Sequence, residues 1–115
     1  NTFLNGQTLT SGNEIINGLS VNSGSSAGTS QFGINLRANS NPSVGSEKNG
    51  NGLSSVDNNY NSPNSFRFGN GERVAFSSIP SDFTRFTVSY IVNISENQKP
   101  GTYSSTLTYT AIASF

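Results

Sequence analysis

The stretch Phe86-Thr87-Val88-Ser89-Tyr90-Ile91-Val92-Asn93-Ile94 puts Phe86, Val88, Tyr90, Val92 and Ile94 at alternate positions. A polar turn follows, Glu96-Asn97-Gln98-Lys99-Pro100-Gly101. The pattern then resumes, with Tyr103, Ser105, Leu107, Tyr109, Ala111, Ala113 and Phe115 alternating against Thr102, Ser104, Thr106, Thr108, Thr110 and Ile112. Successive side chains of a strand point to opposite faces, so a period of two marks a half-buried strand. Two such runs about a turn predict a long antiparallel hairpin. Its expected inner face carries Phe86, Val88, Tyr90, Val92, Leu107 and Tyr109, packed opposite Phe32, Ile34 and Leu36. The Thr-rich face is expected outside, where β-branched side chains fit an exposed pleat.

Upstream of the hairpin, residues 72–77 and 65–68 read as two shorter strands. They flank Asn70-Gly71, a dipeptide that favours the tight type I′ turn. Residues 39–64 form a long Asn-rich stretch with Pro42 and Pro63, in which a short strand or turn is expected near 53–56. Residues 31–38 carry Phe32, Ile34 and Leu36 at period two, the pattern of a half-buried strand. Residues 23–30 are a Ser/Gly loop, and residues 13–22 hold Ile15, Ile16, Leu19 and Val21 around a break at Asn17-Gly18. Residues 1–10 hold Phe3, Leu4 and Leu9 around Asn5-Gly6. No segment joins helical period to caps over two turns. The expected fold is all-β, an antiparallel Greek-key, Ig-like β-sandwich of about seven to nine strands with a long Asn-rich loop. Residues 1–12 read as an N-terminal strand and joint, and residues 13–115 as a single sandwich domain.

Composition narrows the chemistry. Of 115 residues, 17 are Asn, 21 Ser, 10 Thr and 12 Gly, whereas apolar residues make up 31 % and charged residues 10 %. Disorder goes with high net charge and few aromatic residues. Here six basic and six acidic residues cancel, and eight Phe and four Tyr are present, which argues for a folded domain with long polar loops. Zero net charge leaves no electrostatic case for nucleic-acid binding. No apolar run reaches the ~18 residues that span a membrane. There is no His and no Cys, so imidazole bases, thiolate nucleophiles and disulfides are excluded. Without His, a Ser nucleophile lacks its usual base. No carboxylate pair stands out as a glycosidase pair. No catalytic residue, metal ligand or cofactor is therefore expected.

Two loop features invite a binding reading. Asp57-Asn58-Asn59-Tyr60-Asn61 spaces oxygen side chains as a calcium loop begins. The loop then needs Gly where Ser62 stands and Glu where Phe68 stands, and both positions fail. The same segment offers an aromatic ring among amides. Tyr60 with Asn58, Asn59 and Asn61 is the candidate site for a surface glycan, provided the ring faces outward.

Pro100-Gly101-Thr102-Tyr103 opens the last expected strand. It reads either as an ordinary turn before a core Tyr or as a structural corner, in which the Tyr hydroxyl reaches back to upstream backbone. The run Lys99-Pro100-Gly101-Thr102-Tyr103-Ser104-Ser105-Thr106-Leu107-Thr108-Tyr109-Thr110 resembles the ending of many small bacterial surface β-sandwiches, among them pilus and fimbrial subunits and cell-surface repeat domains. The resemblance implies an extracellular protein at the cell surface. It also implies a structural role, either as a filament subunit whose copies form a homo-polymer by strand exchange or as a stalk or carbohydrate-binding domain of an adhesin. The start at Asn1-Thr2-Phe3 fits an expectation that a leader has been removed. Under the filament reading, Phe3, Leu4 and Leu9 are the expected subunit-interface residues, donated by residues 1–10 to a neighbour and jointed at Thr10-Ser11-Gly12.

Overall fold

The structure is a computed structural model and describes residues 1–113. Ser114 and Phe115, the end of the expected last strand, lie outside the described residues. The described chain is all-β, with one 3₁₀ turn at Asn58–Tyr60 as its helical element. The described residues form ten strands, five of five residues and five of only two. They are β1 (Thr2–Gly6), β2 (Thr10–Ser11), β3 (Glu14–Ile15), β4 (Gln31–Asn35), β5 (Asn39–Ser40), β6 (Ser43–Val44), β7 (Ser55–Val56), β8 (Glu72–Phe76), β9 (Ser89–Asn93) and β10 (Leu107–Ala111). The sheets are small and antiparallel. One has the order β10-β1-β8-β7, and β2-β3, β4-β9 and β5-β6 are two-stranded.

Both hairpins expected from the sequence are crossovers. β9 pairs with β4 and β10 pairs with β1, so the 94–106 connection carries the chain from one sheet to another. Asn70-Gly71 does the same. Arg67 exchanges backbone hydrogen bonds with Ile34 beside β4, whereas β8 pairs with β1. Gly71 does adopt φ +80, as its turn requires, and its N–H donates to the Leu4 carbonyl of the other sheet. Turn residues set the sharpness of a reversal, but a strand's partner is set by which apolar faces meet.

One core joins the two larger sheets. Leu4 of β1, Val74 and Ala75 of β8 and Val56 of β7 pack with Ile34, Leu36 and Tyr60, and Phe68, Phe86, Val88 and Leu107 close around them. β1 and β8 are the inner strands of their sheet, each with a strand on either side; β1 buries Leu4. It ends at Gly6, whose φ of +149 brings it against β10. A Cβ there would lie 2.6 Å from the Thr106 carbonyl oxygen, so only glycine fits without displacing backbone.

β4 departs from its expected half-burial, since all five of its residues are buried. Register places Ile34 opposite Tyr90 and Phe32 opposite Val92 on the core side, with Gly33 opposite Ile91 and Asn35 opposite Ser89 on the other. That other side is covered by residues 17–19 and 66–67. Residues 17 and 19 bond to Phe32, and a Cβ on Gly33 would meet Leu19, Phe66 and Arg67 within 3.1 Å. Buried polar groups there are satisfied. Asn35 Nδ2 donates to Asn39 Oδ1 and to the Ser65 carbonyl, Gln31 Nε2 donates to the Gly24 carbonyl, and Ser89 Oγ donates to the Arg37 carbonyl.

The long Asn-rich stretch is tied down by its own amides. Asn64 Oδ1 accepts from the N–H groups of Ser40 and Asn41, and Asn39 Nδ2 donates to the carbonyls of Arg37 and Val44. Asn suits these bridges because its side chain copies the peptide group.

Candidate functional site

The covering of β4 and β9 is one-sided. Ile91 is 4 % exposed beneath the loops, yet Tyr90 and Val92, on the core face, are 44 % and 48 % exposed. The expected burial of Tyr90, Val92 and Tyr109 is thus corrected. They point toward the core side, but among the described residues no strand lies over them. β9 and β10 each form the edge of a sheet and stand apart, leaving a cleft of about 440 Å³. Leu9, Phe32, Tyr90, Val92, Ser105, Leu107 and Tyr109 line it. The Tyr90 ring stacks on Phe32, with centroids 6.4 Å apart. Across the cleft the Tyr90 and Tyr109 hydroxyls meet at 2.7 Å. Partial burial raises the Tyr109 phenol pKa above its ordinary range, and the hydrogen bond to Tyr90 adds to the shift.

The outer edge of β10 is open. Asn1 and Ile112 exchange both backbone hydrogen bonds. Hydrogen-bonded pairs alternate along an antiparallel ladder, so Thr110 and Thr108 face β1, and the N–H and C=O groups of Leu107, Tyr109 and Ala111 face outward. Such a row is a template for another strand. No charged residue interrupts 86–95 or 100–113, so neither edge carries the Lys that commonly blocks pairing.

The expected site residues divide. Phe3 and Leu4 lie in β1, paired within their own chain to β8 and β10, and Leu4 is fully buried in that chain's core. Leu9 lies apart from them in the cleft. Tyr60 is 0 % exposed, so it presents no face on which a sugar could stack, although Asn58 and Asn59 beside it are exposed and Asn61 is partly so. The ring turns inward because its hydroxyl finds a partner there, donating to Glu72 Oε1 at 2.5 Å. Glu72 also accepts from Nε and Nη2 of Arg67, at 2.9 and 2.7 Å. The Arg67 hydrogen bond holds the Glu72 carboxyl below the usual carboxylate range, and burial pushes the Tyr60 phenol up.

Asp57 is likewise occupied. Its Oδ1 accepts from the Asn59 N–H and its Oδ2 pairs with Arg73 at 2.9 Å. Among the described residues no group of three or more acidic side chains gathers to hold a metal. Pro100 and Gly101 are exposed, and the half-buried Tyr103 donates its hydroxyl to the Lys99 carbonyl at 2.7 Å while accepting from Gln98 Nε2. No protein-family model, no curated protein and no solved structure matches this chain.

Sequence reasoning missed the cleft because it treated every inward-pointing apolar residue as covered. No signal in the sequence marks the cleft, since the charge-free runs that line it read equally as covered core strands.

Proposed function

We propose that the chain is a structural subunit of an extracellular homo-polymer, a pilus- or fimbria-like filament of a bacterial surface, with copies joined by strand pairing. The two larger sheets are read as the halves of an Ig-like, Greek-key sandwich that lacks a strand on the β9–β10 side. The observation that carries this is the open cleft. A strand added along β10 would point alternate side chains at Tyr90, Val92 and Ile94 and cover the apolar surface they expose. Backbone pairing would supply strength, and the cleft would select apolar residues at every second position. Because β1 already holds the centre of its own sheet, this reading takes the incoming strand from elsewhere in a second copy rather than from a detached Phe3, Leu4 and Leu9.

The test is self-association measured by sedimentation over a concentration series, with negative-stain microscopy of the concentrated sample. Wild type should form oligomers or fibres. Ala111→Pro removes an outward N–H without touching a bond to β1, and Val92→Lys puts a charge in the cleft. Both should remain folded and monomeric. A wild-type chain that stays monomeric at its highest soluble concentration would sink the reading.

A further inference from the structure

We infer that Tyr90 and Tyr109 form a site for oxidative cross-linking, at which a peroxidase acting with hydrogen peroxide joins the two rings into dityrosine within one chain. The geometry is the argument. The two hydroxyls are 2.7 Å apart, although the residues lie on edge strands of different sheets. Each phenol's ortho carbon is two bonds from its oxygen. Rings whose hydroxyls touch are already neighbours, and side-chain movement about χ1 together with χ2, open to two rings that are 44 % and 37 % exposed, is what carries their ortho carbons into contact. Tyr90 is held by its stack on Phe32, and both rings border the open cleft, where a small oxidant or a diffusing radical reaches them. The other two tyrosines are placed differently. Tyr60 is fully buried on Glu72, and Tyr103 is held by Lys99 and Gln98.

The chemistry balances with one peroxide. Each phenol loses its hydroxyl hydrogen atom, one electron and one proton, to give a phenoxyl radical. The two radicals pair by forming one Cε–Cε bond. Each bonded carbon then passes its hydrogen to the oxygen, which restores both aromatic rings and both hydroxyls. Overall two hydrogen atoms leave the protein and hydrogen peroxide is reduced to two waters. The product would tie β9 to β10 across the cleft in a chain that has no Cys with which to make a disulfide. Groups already in contact react as if at very high local concentration, so the intramolecular product should outrun dimers in dilute solution.

The experiment treats the whole chain with peroxidase and hydrogen peroxide, at a concentration where sedimentation shows monomer. The expected product is a monomer lighter by two hydrogens, with the blue fluorescence of dityrosine. Cleavage after Glu96, which lies between the two tyrosines, should give peptides joined through residues 90 and 109. Tyr90→Phe and Tyr109→Phe should each abolish this product, whereas Tyr103→Phe should leave its yield unchanged. Circular dichroism of each variant confirms that it is folded. Dimers in place of the internal cross-link, a link through Tyr103 or Tyr60, or survival of the product in Tyr90→Phe would each overturn the inference. The site stands on the geometry of one chain, so the outcome does not depend on whether copies assemble.

Discussion

Glu72 shows how one carboxylate can decide where an aromatic ring goes. It accepts from Tyr60 and, through both oxygens, from Arg67, so a Tyr that would be a surface platform becomes part of the core. Its pKa is lowered in the folded state, chiefly by the Arg67 hydrogen bond. The stabilisation is therefore fully present above the unfolded pKa, about 4.5, and is lost as pH falls through the lower folded value. Glu72→Gln should cost about 1–3 kcal/mol at neutral pH, because it leaves a partly buried guanidinium without its charged partner. The difference from wild type should shrink as pH falls below the unfolded value and wild-type Glu72 protonates. Urea denaturation of both proteins at neutral and acid pH measures this, and a gap that widens on acidification would contradict it. Nothing in the sequence announces the trio, since residues 60, 67 and 72 have no motif spacing. What brings them together is the crossover between sheets.

At the scale of the element, strand identity was legible and strand partnership was not. Period two located β4, β9 and β10, though β9 and β10 are five residues each and shorter than the runs expected, because alternation reports one local property, the side to which each residue points. Coverage of that side depends on other elements. Ile91 and Val92 make the distinction measurable. Ile91, expected outside, lies 4 % exposed under loop residues, and Val92, expected inside, is 48 % exposed at the cleft. Ile91→Ala should cost about 2–4 kcal/mol, in the usual range for a buried aliphatic truncation. Val92→Ala should cost under about 1 kcal/mol in the monomer, since only part of its apolar area leaves water. Thermal unfolding of the two variants settles it, and a larger loss at Val92 would mean that the cleft is filled in solution. The polar loops escaped the sequence reading for a related reason. Their order comes from side-chain amides that act as backbone mimics, as with Asn39 and Asn64, and amides carry no periodicity.

At the scale of the molecule, openness is the main property. The radius of gyration is 15.0 Å and the extents are 48 × 28 × 21 Å, whereas a compact chain of this length would have a radius near 13 Å. The accessible surface of 6772 Å² exceeds the ~6000 Å² expected for a compact monomer of this mass. A chain with only 31 % apolar residues leaves part of its core face uncovered at β9–β10, so what closes the rest of the core matters more. The element that closes it is β1, which bridges β10 and β8 and buries Leu4 completely. Deleting residues 1–10 would leave β10 with no partner in its sheet, remove Leu4 from the centre and take away the Thr10 bonds to Ser104. The loss of one buried Leu alone is worth about 2–5 kcal/mol, and the ladder bonds on both sides of β1 add to it. Typical domains hold only about 5–15 kcal/mol in total, so a chain beginning at Ser11 should lose its cooperative thermal transition and its β-type circular dichroism. Adding a peptide of residues 1–10 in excess should restore both by occupying the β10–β8 gap. Scrambling that peptide, or replacing Leu4 with Asp, should remove the effect. A truncated chain that stays folded and monomeric without peptide would show that the N-terminal strand is dispensable to its own sheet.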